Sequence, residues 1–330
     1  MAVNWRKAVM IALPVIVVVV VAYAFYYGNS EAKTGAVLSR TFRSSTPLIL
    51  GALCGLVGER TGVVNIGIEG QLLMSAFTGF YTAAATGNIW MGVLAGVLSG
   101  ALLGAFLALC AVAWQIDQII AGTVINIFVA GMTSFLYTQG KQSPGGLTER
   151  AIPLLSDIPL LGDVLFTNTP IAYMAIILVF VLHVALFHTR WGLRSRSVGE
   201  HPSASDTVGI RVARQRYVNV ALAGGLAGLG GAFLSLESVG TFERGMSAQR
   251  GFTALAIMIF GRWKPILAWA GALFFSFTTA MAAQLQFDQV IDVPPQFIAI
   301  LPYVLVIVVL AAFASKVRPP AAAGKPYVKE

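Results

Sequence analysis

The thirteen residues Glu59-Arg-Thr-Gly-Val-Val-Asn-Ile-Gly-Ile-Glu-Gly-Gln71 constrain this chain more than any other stretch. They lie between two short apolar runs, 47–58 before and 72–85 after. A bilayer crossing takes about 20 apolar residues. Neither run reaches that length, and between them sit three charges, an Asn, a Gln and three glycines. Polar, glycine-broken backbone at membrane depth is tolerated only where it is buried in protein or lines a wet cavity. Such a segment is a functional-site candidate by default.

The surroundings justify a membrane reading. The chain is 57% hydrophobic and 11% charged, against about 25% charged in soluble domains. Its mean hydropathy is +0.79. The apolar runs are continuous rather than alternating, which predicts helices and not a barrel. The reading is thus an all-α integral membrane protein, a polytopic helical bundle forming one domain over residues 1–330. Arg6 and Lys7 precede an apolar run over 9–27, read as a retained first helix rather than a cleaved signal. Cys54 and Cys110 both lie inside apolar runs and read as small core residues.

Ten spans are expected, near 9–27, 45–58, 63–86, 89–113, 119–139, 168–188, 217–236, 252–261, 265–286 and 296–314. Charge tests the count. With the N-terminus inside, the inner segments hold 15 of the 22 Lys and Arg. The Lys/Arg bias orients a membrane protein, so the net charge of +8 speaks for topology rather than for nucleic acid. The loop 190–216 alone carries Arg190, Arg194, Arg196, Arg211, Arg214 and Arg216 and is expected in the cytoplasm, with an N-tail at 1–8 and a C-tail at 316–330. The loop 140–163 holds only Lys141 and Arg150 and suits the outside. An even number of crossings must separate the first outer loop from the second. The runs before and after Glu59–Gln71 therefore cross separately. Glu59 and Arg60 fall near the inner face, the third span begins at Val63, and Asn65, Glu69 and Gln71 enter the membrane.

Gly92, Gly96, Gly100 and Gly104 recur every fourth residue, as do Gly224 and Gly228. Each set makes a smooth helix face on which another helix can pack closely. The glycine-rich string 224–231 has no strand before it and is no nucleotide loop. The chain has no GxxxxGK[ST] sequence, no His/Cys cluster suited to a metal, and no catalytic constellation. His183, His188 and His201 lie near a loop and read as solvated or interfacial.

Within the arginine-rich loop, Pro202 suits the first turn of a helix and Gly209 can stop it. A short helix is expected there, either lying on anionic lipid or docking a cytoplasmic partner.

Four stretches together resemble one family. Glu59–Gln71 resembles the signature of ABC-importer permeases of the branched-chain amino acid, simple-sugar and nucleoside class. Asp117-Gln-Ile-Ile-Ala-Gly-Thr-Val-Ile-Asn126 resembles the start of that family's fifth helix. Gly199–Ile210 resembles its coupling loop, and Gly251-Phe-Thr-Ala-Leu-Ala-Ile-Met-Ile-Phe-Gly-Arg-Trp-Lys-Pro265 its short eighth segment. The resemblance covers roughly residues 40–315, and the wording of the first motif is most similar to the nucleoside branch. Arg262-Trp263-Lys264 is bulkier and more basic than the family's usual turn, and Ser203 and Ser205 stand where Ala is common.

The resemblance implies a type II importer permease of about ten helices in a bacterial or archaeal inner membrane, with both termini cytoplasmic. It implies a second permease subunit, identical or paralogous, an ATPase subunit that carries ATP and Mg, and an extracytoplasmic solute-binding protein. No cofactor is expected on this chain and no nucleic-acid partner. A neutral polar ligand needs a few hydrogen-bonding groups on an apolar wall. Asn65, Glu69 and Gln71 are the first candidates for the substrate path, Asn126 the next, with Phe77 and Phe80 able to stack on a base. Gly199, Glu200, His201, Pro202, Ala204, Asp206 and Gly209 are the candidates for coupling to the ATPase. A simple-sugar permease is the alternative ligand class, and a stand-alone secondary transporter the rival from another class.

Overall fold

A computed structural model describes residues 30–141, 145–153, 155–156, 161–288 and 318–328, with single positions at 28, 158, 294, 297, 300, 304 and 307. The expected first span (9–27), most of the tenth (296–314) and the N-tail lie outside the described residues.

The helices in order are α1 (Glu31–Glu59), α2 (Ile68–Thr86), α3 (Ile89–Ala108), α4 (Gln118–Leu136), α5 (Leu161–Leu165), α6 (Pro170–His188), α7 (Arg190–Glu200), α8 (Pro202–Thr207), α9 (Val212–Ala232), α10 (Arg250–Phe260) and α11 (Pro265–Phe287). A π-helical turn follows α3 at Leu109–Ala113 and another follows α9 at Phe233–Ser238. Among the described residues, five helical stretches are long and apolar enough to cross a membrane: 89–113, α4, α6, 212–238 and α11.

Two boundaries differ from the sequence reading. Residues 31–44, expected as an outer loop, are the first half of α1. Their polar side chains serve the helix, because Thr34, Thr41 and Ser45 donate their hydroxyls back to Ser30 O, Val37 O and Phe42 O. The third span begins at Ile68 and not at Val63. Gly62 takes a left-handed φ of 87°, a conformation only glycine adopts without strain, and the chain runs non-helically to Gly67.

The described residues group into two compact units. The smaller takes the described residues up to 45, those from 149 to 168 and those from 271 to 307. There β1 (Arg150–Ala151) pairs antiparallel with β2 (Thr167–Asn168). Val37 and Ala280 pack with Phe277 and Met281, and ion pairs join Lys33 to Asp288 at 3.2 Å and Arg43 to Glu149.

The larger unit comprises 46–148, 169–270 and 318–330. Its centre is the layer of α2, α3 and α9. The α3 glycines meet backbone directly. A Cβ built on Gly100 would stand 2.4 Å from Gly224 O, and one on Gly104 2.5 Å from Val220 O. Gly92 is equally tight against Gly79 O, at 2.5 Å, and a Cβ on Gly228 would lie 2.6 Å from Gly96 O. Apolar burial gives little net drive between helices in lipid, so close backbone approach of this kind supplies the packing energy.

Candidate functional site

The broken segment 59–71 is built from its ends inward. Glu59 closes α1, beyond the apolar run, and its Oε2 accepts the indole N–H of Trp263 at 2.7 Å. The side chain is buried. Burial pushes its carboxyl up to about 7, with the Trp263 hydrogen bond pulling the other way. Arg60 donates from Nε and Nη2 to Trp263 O at 3.1 and 2.9 Å and lies over the Phe187 ring at 5.4 Å. Burial lowers its pKa, Arg196 lowers it further, and Glu200 raises it. The turn 59–62 is therefore pinned to the turn that follows α10.

The extended residues beyond it are held by side chains of α4. Gln118 Oε1 accepts Val64 N–H at 2.7 Å. Asn126 Nδ2 donates to Ile66 O at 2.9 Å, and its Oδ1 accepts Gly70 N–H at 2.7 Å. Gly122 lies between them, and a Cβ there would stand 2.7 Å from Gly67 N. Gln118, Gly122 and Asn126 recur every fourth residue, so one face of α4 supplies partners for backbone that no helix satisfies. α4 itself starts on Asp117, whose Oδ1 accepts Ile119 and Ile120 N–H at 2.8 and 3.1 Å, an N-cap.

Asn65 and Gln71 face each other. Both are fully buried, and Asn65 Nδ2 donates to Gln71 Oε1 at 3.0 Å. Cys54 completes the group, its thiol donating to Gln71 Oε1 at 3.4 Å. The other amide atoms, Asn65 Oδ1 and Gln71 Nε2, are buried without a hydrogen bond. Glu69 points away from this group. Its Oε1 accepts Gln249 N–H at 2.8 Å and its Oε2 accepts Gly251 N–H at 2.7 Å. The carboxylate thereby satisfies the start of α10, where a negative group is favoured.

Phe77 and Phe80 lie one turn apart. Phe80 is buried, and Phe77 is partly open. Phe77 forms an aromatic cluster with Tyr81 at 4.4 Å and with Phe242 at 5.2 Å, edge-on. Tyr137 stands 6.0 Å from Phe242. Two cations rim this cluster, Lys141 4.9 Å from the Tyr81 ring and Arg244 5.0 Å from the Tyr137 ring.

At the arginine-rich end, α7 and α8 meet at His201. Pro202 starts α8, and Gly209, with φ 83°, follows it. Ser205 bonds Ser197 at 2.6 Å. His201, Ala204 and Gly209 are exposed, as is Glu200, whereas Gly199 is buried and packs on Arg60 O, 2.4 Å from where a Cβ would be. The C-terminal residues 318–328 complete this end, which sequence reasoning did not foresee. Ala322 N–H donates to Gly199 O at 2.9 Å and Gly324 N–H to Gly62 O at 3.2 Å. Buried Arg216 donates to Thr61 O at 3.2 Å and to Lys325 O at 3.1 Å. The tail thus ties the loop helices to the turn 59–62.

Residues 37–310 match the family described as branched-chain amino acid transport system / permease component. The chain belongs to this permease family. A nucleoside ABC transporter permease protein, NupC, of Lactococcus lactis is 38% identical over 301 residues, 86% of this chain and 94% of that protein. A guanosine ABC transporter permease protein, NupQ, of Bacillus subtilis is 36% identical over 89% of this chain and 96% of its own length. A putative glucose ABC transporter permease protein, TsgC13, of Haloferax volcanii is 33% identical over 76% of this chain and 77% of its own. No solved structure gives a significant match. The permease is a multi-pass membrane protein.

Proposed function

We propose that this chain is the permease subunit of an ATP-driven importer for nucleosides. The observation that carries this reading is the similarity to the nucleoside and guanosine permeases across nearly the whole of all three chains. The aromatic cluster supports it. Phe77, Tyr81, Tyr137 and Phe242 offer ring faces and edges, and a purine base stacks on such rings. Phe77 would touch the base and buried Phe80 would support it. Glu69 and Asn126 would shape the path through the backbone they hold, and Asn65 and Gln71 through the bond between them.

In this reading α7 and α8 face the cytoplasm with both termini, a partner ATPase binds ATP and Mg against them, and a binding protein delivers substrate on the opposite side. A second permease subunit completes the path. ATP-driven closure displaces α8. The displacement passes through Gly199, the C-terminal residues and Arg216 to the turn 59–62, then through α2 and Glu69 to α10.

The test is reconstitution with the partner subunits and measurement of ATP-dependent uptake of radiolabelled guanosine, adenosine, ribose and glucose. Nucleoside uptake abolished by Phe77→Ala, with the protein still folded, supports the reading. Uptake of a sugar alone, as the name of the Haloferax relative states for that protein, overturns it.

A further inference from the structure

A cavity of about 470 Å³ opens where α7, the loop after α8 and the first two turns of α9 meet. Its charged lining residues are Arg194, Arg211 and Arg214, and no carboxylate lines it. All three arginines are exposed. Among the described residues, none of their side chains makes a hydrogen bond or ion pair. Asp206 lines a separate neighbouring cavity that Arg211 also borders. Gln215 also lines the arginine cavity, but its amide N–H is committed to Ser195 Oγ at 2.8 Å. Three cations around one cavity that no carboxylate lines call for an anion with several oxygens.

The apolar half of the site says which kind. Arg211, Arg214, Val218 and Leu222 follow one face of α9 at helical spacing. Val218 is 44% and Leu222 56% exposed, and they continue the cavity wall along a helix apolar enough to span. Trp191 lines the cavity from α7, and Leu193 beside it is 62% exposed. Trp191 stands just past the end of α6, and an indole beside the end of a span suits the membrane interface. The arrangement therefore offers cations for a headgroup and an apolar strip for an acyl chain. We propose that this groove is a binding site for an anionic phospholipid, with the phosphate held by Arg194, Arg211 and Arg214 and one acyl chain laid along Val218 and Leu222. Guanidinium forks suit phosphate oxygens better than point charges do.

The test uses the purified full chain in nanodiscs of phosphatidylglycerol and phosphatidylethanolamine, with retained lipid read by native mass spectrometry. Wild type should retain phosphatidylglycerol over phosphatidylethanolamine. Arg214→Gln should lower that preference about fivefold, and the triple change of Arg194, Arg211 and Arg214 to Gln should abolish it. The triple change to Lys keeps the charge that sets topology, so it guards against failed insertion, and should fall between. Absence of a preference in wild type, or a preference unchanged in both Arg214→Gln and the Lys triple, overturns the proposal. Competition by glycerol phosphate as strong as by the intact lipid would assign the site to a free phosphate and also overturn it. So would lipid retention intact in the variants together with loss of ATPase stimulation once the partner ATPase subunit is added, which would give the surface to a partner protein.

Discussion

Glu69 Oε2 lies 2.7 Å from the amide nitrogen of Gly251, and a Cβ on Gly251 would stand 2.4 Å from Glu69 N. The first helical turn of α2 and that of α10 are locked at this point. A charged residue in an apolar surrounding is thus the fastening between two helices. Glu69→Ala removes two charge-assisted acceptors, each worth about 1.5–3 kcal/mol. Its melting midpoint in detergent should drop clearly and transport with it. Glu69→Gln keeps one acceptor oxygen and should fall between. A wild-type midpoint for both variants would remove Glu69 from this role.

Asn126 bridges Ile66 O and Gly70 N–H with one amide. Asn126→Asp keeps the acceptor but loses the donor, and Asn126→Ala loses both. Each unpaired buried backbone group costs about 1–3 kcal/mol, so the order of thermal stability should be wild type, Asp, Ala. Hydrogen exchange at 63–70 should rise in the same order. Protected amides there in Asn126→Ala would show that the segment stands without α4.

The glycine contacts predict a sharp contrast. Gly100→Ala forces a methyl to within 2.4 Å of Gly224 O, where no flexible side chain can yield. Overpacking of this severity costs about 3 kcal/mol, and folded yield should collapse. Gly131→Ala, on an open face of α4 with nothing within 4 Å, should express and melt as wild type does. Equal behaviour of the two would refute backbone-to-backbone packing of α3 and α9.

Glu59 makes stability depend on pH in a definite direction. Its carboxyl is raised from 4.5 to about 7 in the folded chain. The folded state then holds more protons than the unfolded one between those values, so stability falls as pH rises through them. The full contribution is present below pH 4.5 and gone above about 7, a swing on the order of 3 kcal/mol. Glu59→Gln cannot titrate. The difference in denaturation midpoint between wild type and this variant should favour wild type least at high pH. Parallel curves from pH 4.5 to 8 would contradict the shift.

How far the residues alone reveal this protein varies along the chain. The spans 89–113, α4, α6, 212–238 and α11 emerge from their apolar runs, because a segment that must satisfy its own backbone hydrogen bonds in lipid has only the helix to adopt. Pro202 and Gly209 mark α8, because one residue fixes φ and the other accepts a positive value. The start of α2 was not legible. It was expected at Val63 and lies at Ile68, because the partners of Val64, Ile66 and Gly70 are side chains of Gln118 and Asn126, more than fifty residues away. Their four-residue spacing around Gly122 was the one available clue.

The amino acids by themselves determined that Glu59–Gln71 cannot be an ordinary crossing, since its composition cannot be left in lipid. Only the tertiary structure decided what each of its polar groups faces. Asn65 and Gln71 turn to each other and to Cys54, Glu69 turns to the backbone of α10, and Gly62 receives Gly324 from the C-terminal residues. A polar side chain in a membrane protein needs a partner, and sequence states the need without naming the partner. For Glu69 and Gly62 that choice belongs to segments distant in the chain, Gly251 at 2.7 Å and Gly324 at 3.2 Å, brought there by packing.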